Sequence, residues 1–134
     1  QVFKADNESR SKRWNTILKE SVEQCERLWI PELLAIRDVQ DWMNNKPESA
    51  VAIATTRIKE SIEIQLWTNN LGEEINGTWI LIGPEGGWSK EELGLARRTG
   101  CISVSFGEYI LRTSTAAISA SQLLVAWRRM KFLA

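Results

Sequence analysis

Residues 78–92, TWILIGPEGGWSKEE, constrain this chain more than any other stretch. Thr78 to Ile82 is an uncharged run of β-branched, aromatic and aliphatic residues, the pattern of a strand buried on both faces of a parallel sheet. Gly83, Pro84, Gly86 and Gly87 then interrupt the run and force a sharp turn at the strand's carboxyl end. A helix follows at once. Ser89 with Glu92 three residues on makes a capping box, and Trp88 before the cap can staple onto Leu93. Strand, glycine-rich turn and capped helix form a ligand site in open α/β sheets, because glycines admit a small molecule to the backbone and leave amides free to hold it.

The turn is not a common phosphate loop. No Lys-Ser or Lys-Thr follows a Gly-x-x-x-x-Gly, the three-glycine dinucleotide spacing is missing, and Glu85 would repel a polyphosphate. Taken alone, the pattern also fits a structural turn that binds nothing. A second turn shifts the balance. Cys101 to Phe106 is another short apolar strand, followed by Gly107 and then EYILRTSTAA leading into a long helix. Two successive strand–turn–helix units place both turns at one edge of a parallel sheet.

Elsewhere the chain reads as follows. Residues 1–10 form a linker tail and 11–134 one domain. From Ser11 to Trp29 the apolar positions Trp14, Ile17, Leu18, Val22, Cys25, Leu28 and Trp29 recur at helical spacing, which predicts a helix with one buried stripe, stopped by Pro31. Its other face carries Gln24 and the favourable pair Glu23–Arg27, by spacing alone a solvated face. Pro31 to Ile36 reads as a short strand and Arg37 to Asn45 as a short helix. Ala50 to Ala54 is a compact buried strand, with Thr55 and Thr56 at its end where a first ligand-contacting loop would lie. Ile58 to Trp67 fits a helix, although its alternation leaves a strand open, and Asn69 to Gly77 is a polar loop. The last helix covers Thr113 to Lys131, with Ala116, Ala120, Leu123, Trp127 and Met130 as its buried stripe. The alternation of strands and helices predicts an α/β fold, a mostly parallel sheet covered on both faces.

Bulk composition removes several classes. The chain has no histidine, so histidine acid–base chemistry is excluded and zinc would lack its usual nitrogen ligand; no metal is expected. No apolar run approaches the ~18 residues of a membrane span, and no apolar signal core opens the chain, which leaves the cytoplasm as the expected compartment. Cys25 and Cys101 stand far apart outside any CxxC pattern and read as reduced thiols. The seven tryptophans, Trp14, Trp29 and Trp127 among them, read as core or dimer contacts because they are not interleaved with basic residues.

GPEGGWSKEE followed by SFGEYILRTSTA closely resembles the ribosomal RNA small subunit methyltransferase E family, of the SPOUT superfamily of knotted methyltransferases. The resemblance extends upstream through RWNTILKESVEQCERLWIP. It implies an α/β SPOUT-type sheet ending in a C-terminal trefoil knot, a homodimer, and transfer of a methyl group from S-adenosylmethionine to N3 of a uridine in 16S ribosomal RNA. It implies a cofactor slot made by Leu81, Ile82, Gly83, Pro84, Glu85 and Gly86 on one turn and Ser105, Phe106 and Gly107 on the other. Thr55, Ile110, Leu111 and Arg112 complete it. Arg112 would stabilise the developing uracil anion, while Glu85 would accept a proton or brace the turn. Gln24 and Arg27 are placed near the substrate or the subunit interface.

The resemblance also leaves tensions. Lys plus Arg equals Asp plus Glu at 17 each, a poor electrostatic match for RNA. Family members usually carry an amino-terminal PUA-like barrel with no counterpart here, and the chain opens without methionine, so most of the RNA grip is expected outside it. Ser114 stands where the family usually has Glu. Two other readings follow: a knotted enzyme with another RNA substrate, or a binding homologue with a vestigial cofactor slot.

Overall fold

A computed structural model describes residues 2–75 and 77–133, with side chains from Asn7 onward. The chain divides into two compact units, Gln1–Asp38 and Val39–Ala134. In the first, helix α1 (Val2–Gln24) begins within the stretch expected to be a tail and ends short of Trp29. Its end has a local cause. Glu26 adopts φ 56, the Arg27 N–H donates to the Val22 carbonyl at 3.1 Å, and the Glu26 N–H reaches the Glu23 carbonyl at 3.4 Å. That is a left-handed helix terminus with a glutamate where glycine is usual. The expected buried stripe is largely open: Val22 is buried, but Trp14 and Ile17 are exposed. Leu28 and Trp29, beyond the helix, are exposed as well. Residues 31–36 form no strand. Leu33, Leu34 and Ile36 lie exposed there, and among the described residues no strand pairs with them, so β-propensity has nothing to act on.

The second unit holds a four-stranded parallel sheet of β1 (Ala50–Ala54), β2 (Ile62–Glu63), β3 (Thr78–Leu81) and β4 (Ile102–Ser105), in the order β2-β4-β1-β3. Central β1 pairs Ala52 with Ile80 on one side and with Ile102 on the other. Helices α2 (Val39–Asn44), α3 (Ile64–Asn69), α4 (Lys90–Arg98) and α5 (Thr113–Leu133) complete the unit. The five residues AVAIA alternate between two cores, as period-two strand geometry requires. Val51 and Ile53 join Met43, Ala96 and Cys101 on the face covered by α2 and α4. Ala52 joins Ile64, Trp67, Val104 and Ala120 on the face covered by α3 and α5. Helices thus lie on both faces, as the strand–helix alternation predicts. β3, however, is not the strand buried on both faces that its uncharged run predicts: it stands at the sheet's edge with no buried residue and with Trp79 exposed.

Two expectations need correction here. Ile58 to Trp67 is neither one helix nor one strand: a loop leads to two residues of β2, and α3 begins at Ile64. The Ile62–Ile64 alternation marks β2, whose pairing with β4 is possible only once β4 is in place. On α5, Ala116 and Ala120 are buried as expected, yet Met130 is exposed. Near that end Lys131 Nζ donates to the carbonyls of Gly72 and, over a shorter distance, Ile75, tying the polar loop before β3 to α5. Asn76 of that loop and Gln1 of the expected tail lie outside the described residues.

Candidate functional site

All of the parallel strands end at one edge of the sheet, where three loops meet. These follow β1 (residues 55–61), β3 (82–89) and β4 (106–112). Three hydrogen bonds tie this region together. Thr55 N–H donates to the Val104 carbonyl at 2.9 Å, joining the first loop to β4. Trp88 Nε1 donates to the Ala54 carbonyl at 2.9 Å, joining the second to β1. Thr113 Oγ1 donates to the Gly83 carbonyl at 3.1 Å, joining the start of α5 to the second. Between them opens a cavity of about 1180 Å³.

Local chemistry builds the second loop. Ser89 caps α4 as a capping box, its Oγ accepting from the Glu92 N–H at 3.1 Å while Glu92 Oε2 accepts from the Ser89 N–H at 2.7 Å. The cap sets the direction of Trp88, whose indole lies across Gly83; a Cβ on Gly83 would sit 2.8 Å from Trp88 Cε2. Gly83 is therefore required by close approach, and the half-buried indole N–H finds its partner on β1. Trp88 and Leu93 both pack against the Met43 cluster, where the proposed staple puts them. In the third loop Gly107 takes φ +101, which side-chain-bearing residues rarely adopt.

Most residues expected at the slot line this cavity: Thr55, Ile82, Gly83, Pro84 and Glu85, then Ser105, Phe106, Gly107, Ile110, Leu111 and Arg112. Leu81 does not, packing instead against the Met43 cluster, and Gly86 lies outside the lining. Gln24 and Arg27 belong to the first unit, exposed at the end of α1 and just beyond it. Ser114 is exposed in the first turn of α5 and is not among the lining residues.

The sequence reading passed over Arg57, Ile58 and Ser61 in the first loop, Trp88 in the second, and Glu108 and Tyr109 in the third. A half-buried tryptophan's need for a hydrogen-bond partner was the available signal for Trp88. For the first loop, position at a strand's carboxyl end was the only one. The lining combines apolar Ile58, Ile82, Phe106, Ile110 and Leu111 with two cations, Arg57 and Arg112, and two anions, Glu85 and Glu108. Apolar walls, backbone groups at strand ends and charges of both signs suit a zwitterionic ligand with a flat heterocycle.

Comparison with known proteins bears on which family builds this arrangement. Residues 1–125 match the model of an RNA methyltransferase domain. The ribosomal RNA small subunit methyltransferase E of Buchnera aphidicola (subspecies Schizaphis graminum) is 36% identical over 107 residues, covering 80% of this chain and 42% of that protein. The Synechocystis protein of the same name is 33% identical over 113 residues, 82% of this chain and 36% of its own length. The chain belongs to the ribosomal RNA small subunit methyltransferase E family.

It spans less than half the length of these curated relatives. Solved structures agree in fold. A Legionella pneumophila protein in complex with the bound cofactor SAM superimposes with TM-score 0.79 at 31% identity, over 92% of this chain and 49% of that one. The Neisseria gonorrhoeae ribosomal RNA small subunit methyltransferase E, bound to S-adenosyl methionine, gives TM-score 0.74 at 28% identity, over 89% and 49%. Among the described residues no helix is long and apolar enough to cross a membrane.

Proposed function

We propose that this chain is the catalytic part of an S-adenosylmethionine-dependent methyltransferase acting on N3 of a uridine in 16S ribosomal RNA, working in the cytoplasm as a homodimer. The observation that carries the reading is the shared cavity: loops from three parallel strands, anchored to neighbouring strands and to α5, border one space lined by most of the residues the family motifs nominate. Family membership and the cofactor bound in two similar structures support the same ligand here.

The residues present fit that cofactor. Ile58, Ile82, Phe106, Ile110 and Leu111 would flank the adenine, backbone groups at 82–84 and 105–107 would meet its polar edge, and Arg57 would face the carboxylate. When bound, S-adenosylmethionine supplies a methyl group already activated by its positive sulfur. The protein's task is then alignment and charge stabilisation. Arg112 immediately precedes α5, where Ala116 N–H donates to its carbonyl at 2.8 Å, so its backbone is fixed while its exposed side chain borders the cavity. Its guanidinium would stabilise the negative charge that develops on the uracil ring as the imide proton leaves. Glu85 would brace the turn, with proton acceptance as its second role. Gln24 and Arg27 would contact the RNA or the partner subunit.

The strand order bears on the knot. Because β4 inserts between β1 and β2, residues 55–61 must cross the carboxyl end of β4, and residues 106–112 must pass this crossing to reach α5. That arrangement supports a trefoil knot. A cofactor-bound crystal structure in which 106–112 passes outside the crossing loop would exclude it. The exposed apolar residues Trp14 and Ile17 on α1, and Ile118 and Val125 on α5, support the dimer; sedimentation as a monomer would argue against it. A binding homologue with an idle slot is favoured by one observation, Ser114 in place of the family's Glu.

Titration with S-adenosylmethionine, followed by label transfer to small ribosomal subunits and mapping of the modified base, tests the whole reading. Arg112→Ala should lower transfer by about 10²–10³-fold while cofactor affinity falls little. Unchanged turnover removes Arg112 from the mechanism, and cofactor binding without transfer by the wild type favours the idle slot.

A further inference from the structure

The loop joining β1 to β2 makes an unusual crossing. It leaves the sheet level with Val104 on one side of β4 and rejoins it level with the same residue on the other, since Ala54 and Ile62 both pair with Val104. Its two ends meet through hydroxyls. Thr55 Oγ1 lies 2.6 Å from Ser61 Oγ and 2.5 Å from Ser103 Oγ, and the two serine oxygens are 2.8 Å apart. Each hydroxyl has one proton to donate and lone pairs to accept with, so the three close into a ring in which every member gives once and receives once. Bonds arranged head to tail in this way polarise one another. Thr55 is only 8% exposed, so its hydroxyl depends on these partners. Between the clamped ends, Arg57 is held at φ +58, a left-handed conformation disfavoured for arginine. Arg57 and Ile58 both line the cavity.

We infer that Thr55, Ser61 and Ser103 are positioning residues, a hydroxyl clamp that fixes the crossing loop to β4 and so sets where Arg57 and Ile58 meet the ligand. The inference rests on the cavity being the S-adenosylmethionine slot. Ser103 is the informative member. It stands on β4 outside the lining and reaches the cavity only through Thr55 and Ser61. Its removal leaves those two hydroxyls bonded to each other, so no buried group loses its last partner. Local packing alone would make Ser103→Ala nearly silent for ligand binding. A clamp makes it matter at a distance.

The test uses the full chain as wild type, Ser103→Ala, Ser103→Thr and Ser61→Ala. Limited trypsin digestion without cofactor reads the loop directly, because Arg57 and Lys59 are cleavage sites within it. Ser103→Ala and Ser61→Ala should each be cut there several times faster than wild type, relative to other sites. In calorimetry their Kd for S-adenosylmethionine should rise roughly fivefold, about one hydrogen bond's net contribution. Ser103→Thr, which restores a hydroxyl, should return both readouts towards wild type. Equal cleavage in wild type and Ser103→Ala overturns the clamp. Faster cleavage with unchanged Kd overturns the positioning role, and a loss that threonine fails to rescue shows that the hydroxyl is not the agent. A wild-type chain that binds no S-adenosylmethionine refutes the slot itself, while the cofactor-free digestion still decides the clamp.

Discussion

The loop after β3 and the loop after β1 face the same cavity but are held in different ways. Residues 83–92 carry most of their own instructions: the capping box between Ser89 and Glu92, the indole of Trp88 lying over Gly83, and a turn in which Gly87 N–H donates to the Pro84 carbonyl at 2.9 Å. Their partners are mostly within a few positions in sequence. Residues 55–61 are fixed largely from afar, by Val104 and Ser103 on β4. A locally encoded loop should lose its shape through changes inside it. A remotely held loop should lose its shape through a change on another strand and tolerate some changes of its own.

The sharpest challenge to this contrast is Gly83→Ala. The added methyl would meet the Trp88 ring at 2.8 Å, and the rigid indole cannot yield without loosening its bond to Ala54. Thermal or denaturant unfolding should show a loss of about 1–3 kcal/mol with weakened cofactor binding. A neutral result would mean that the turn is not set by the tryptophan. Next in size is Ser89→Ala, which removes one capping bond from α4 and should cost about 1 kcal/mol. Tryptic cleavage at Arg57 should stay at the wild-type rate; if it rises, the two loops are not independent. The smallest effect belongs to Arg57→Gly. Glycine accepts φ +58 without steric cost, so the folded state should be unchanged or more stable by up to about 1 kcal/mol, although a cation leaves the cavity. Marked destabilisation would show that the Arg57 side chain, not the hydroxyl clamp, holds the loop.

The same contrast explains how much could be read in advance. β1, β3 and β4 were legible because short uncharged runs between turn residues have few other uses in a chain of this kind, and α4 because its cap is written within four residues. Arg112, Glu85 and the turn residues around Gly83 and Gly107 were legible through the family motifs, and they line the cavity. The division of 58–67 between β2 and α3 was not, because Ile62 and Glu63 extend only by pairing with β4, some forty positions away. Apolar spacing on α1 announced a stripe but not its covering: Trp14 and Ile17 stay exposed although their periodicity matches that of buried helices. Met130 misled for the same reason. Periodicity says which residues share a face and nothing about how far the opposing surface extends.

By itself, the sequence determined what short-range forces decide: the short uncharged strands, the capped helix, the glycine turns and, through their motifs, the family. Tertiary structure alone decided which loops converge, that β4 lies between β1 and β2, and that a serine on β4 holds a loop it does not belong to. Contacts between distant positions depend on the relative placement of whole elements, and that placement emerges only when both faces of the sheet are covered at once.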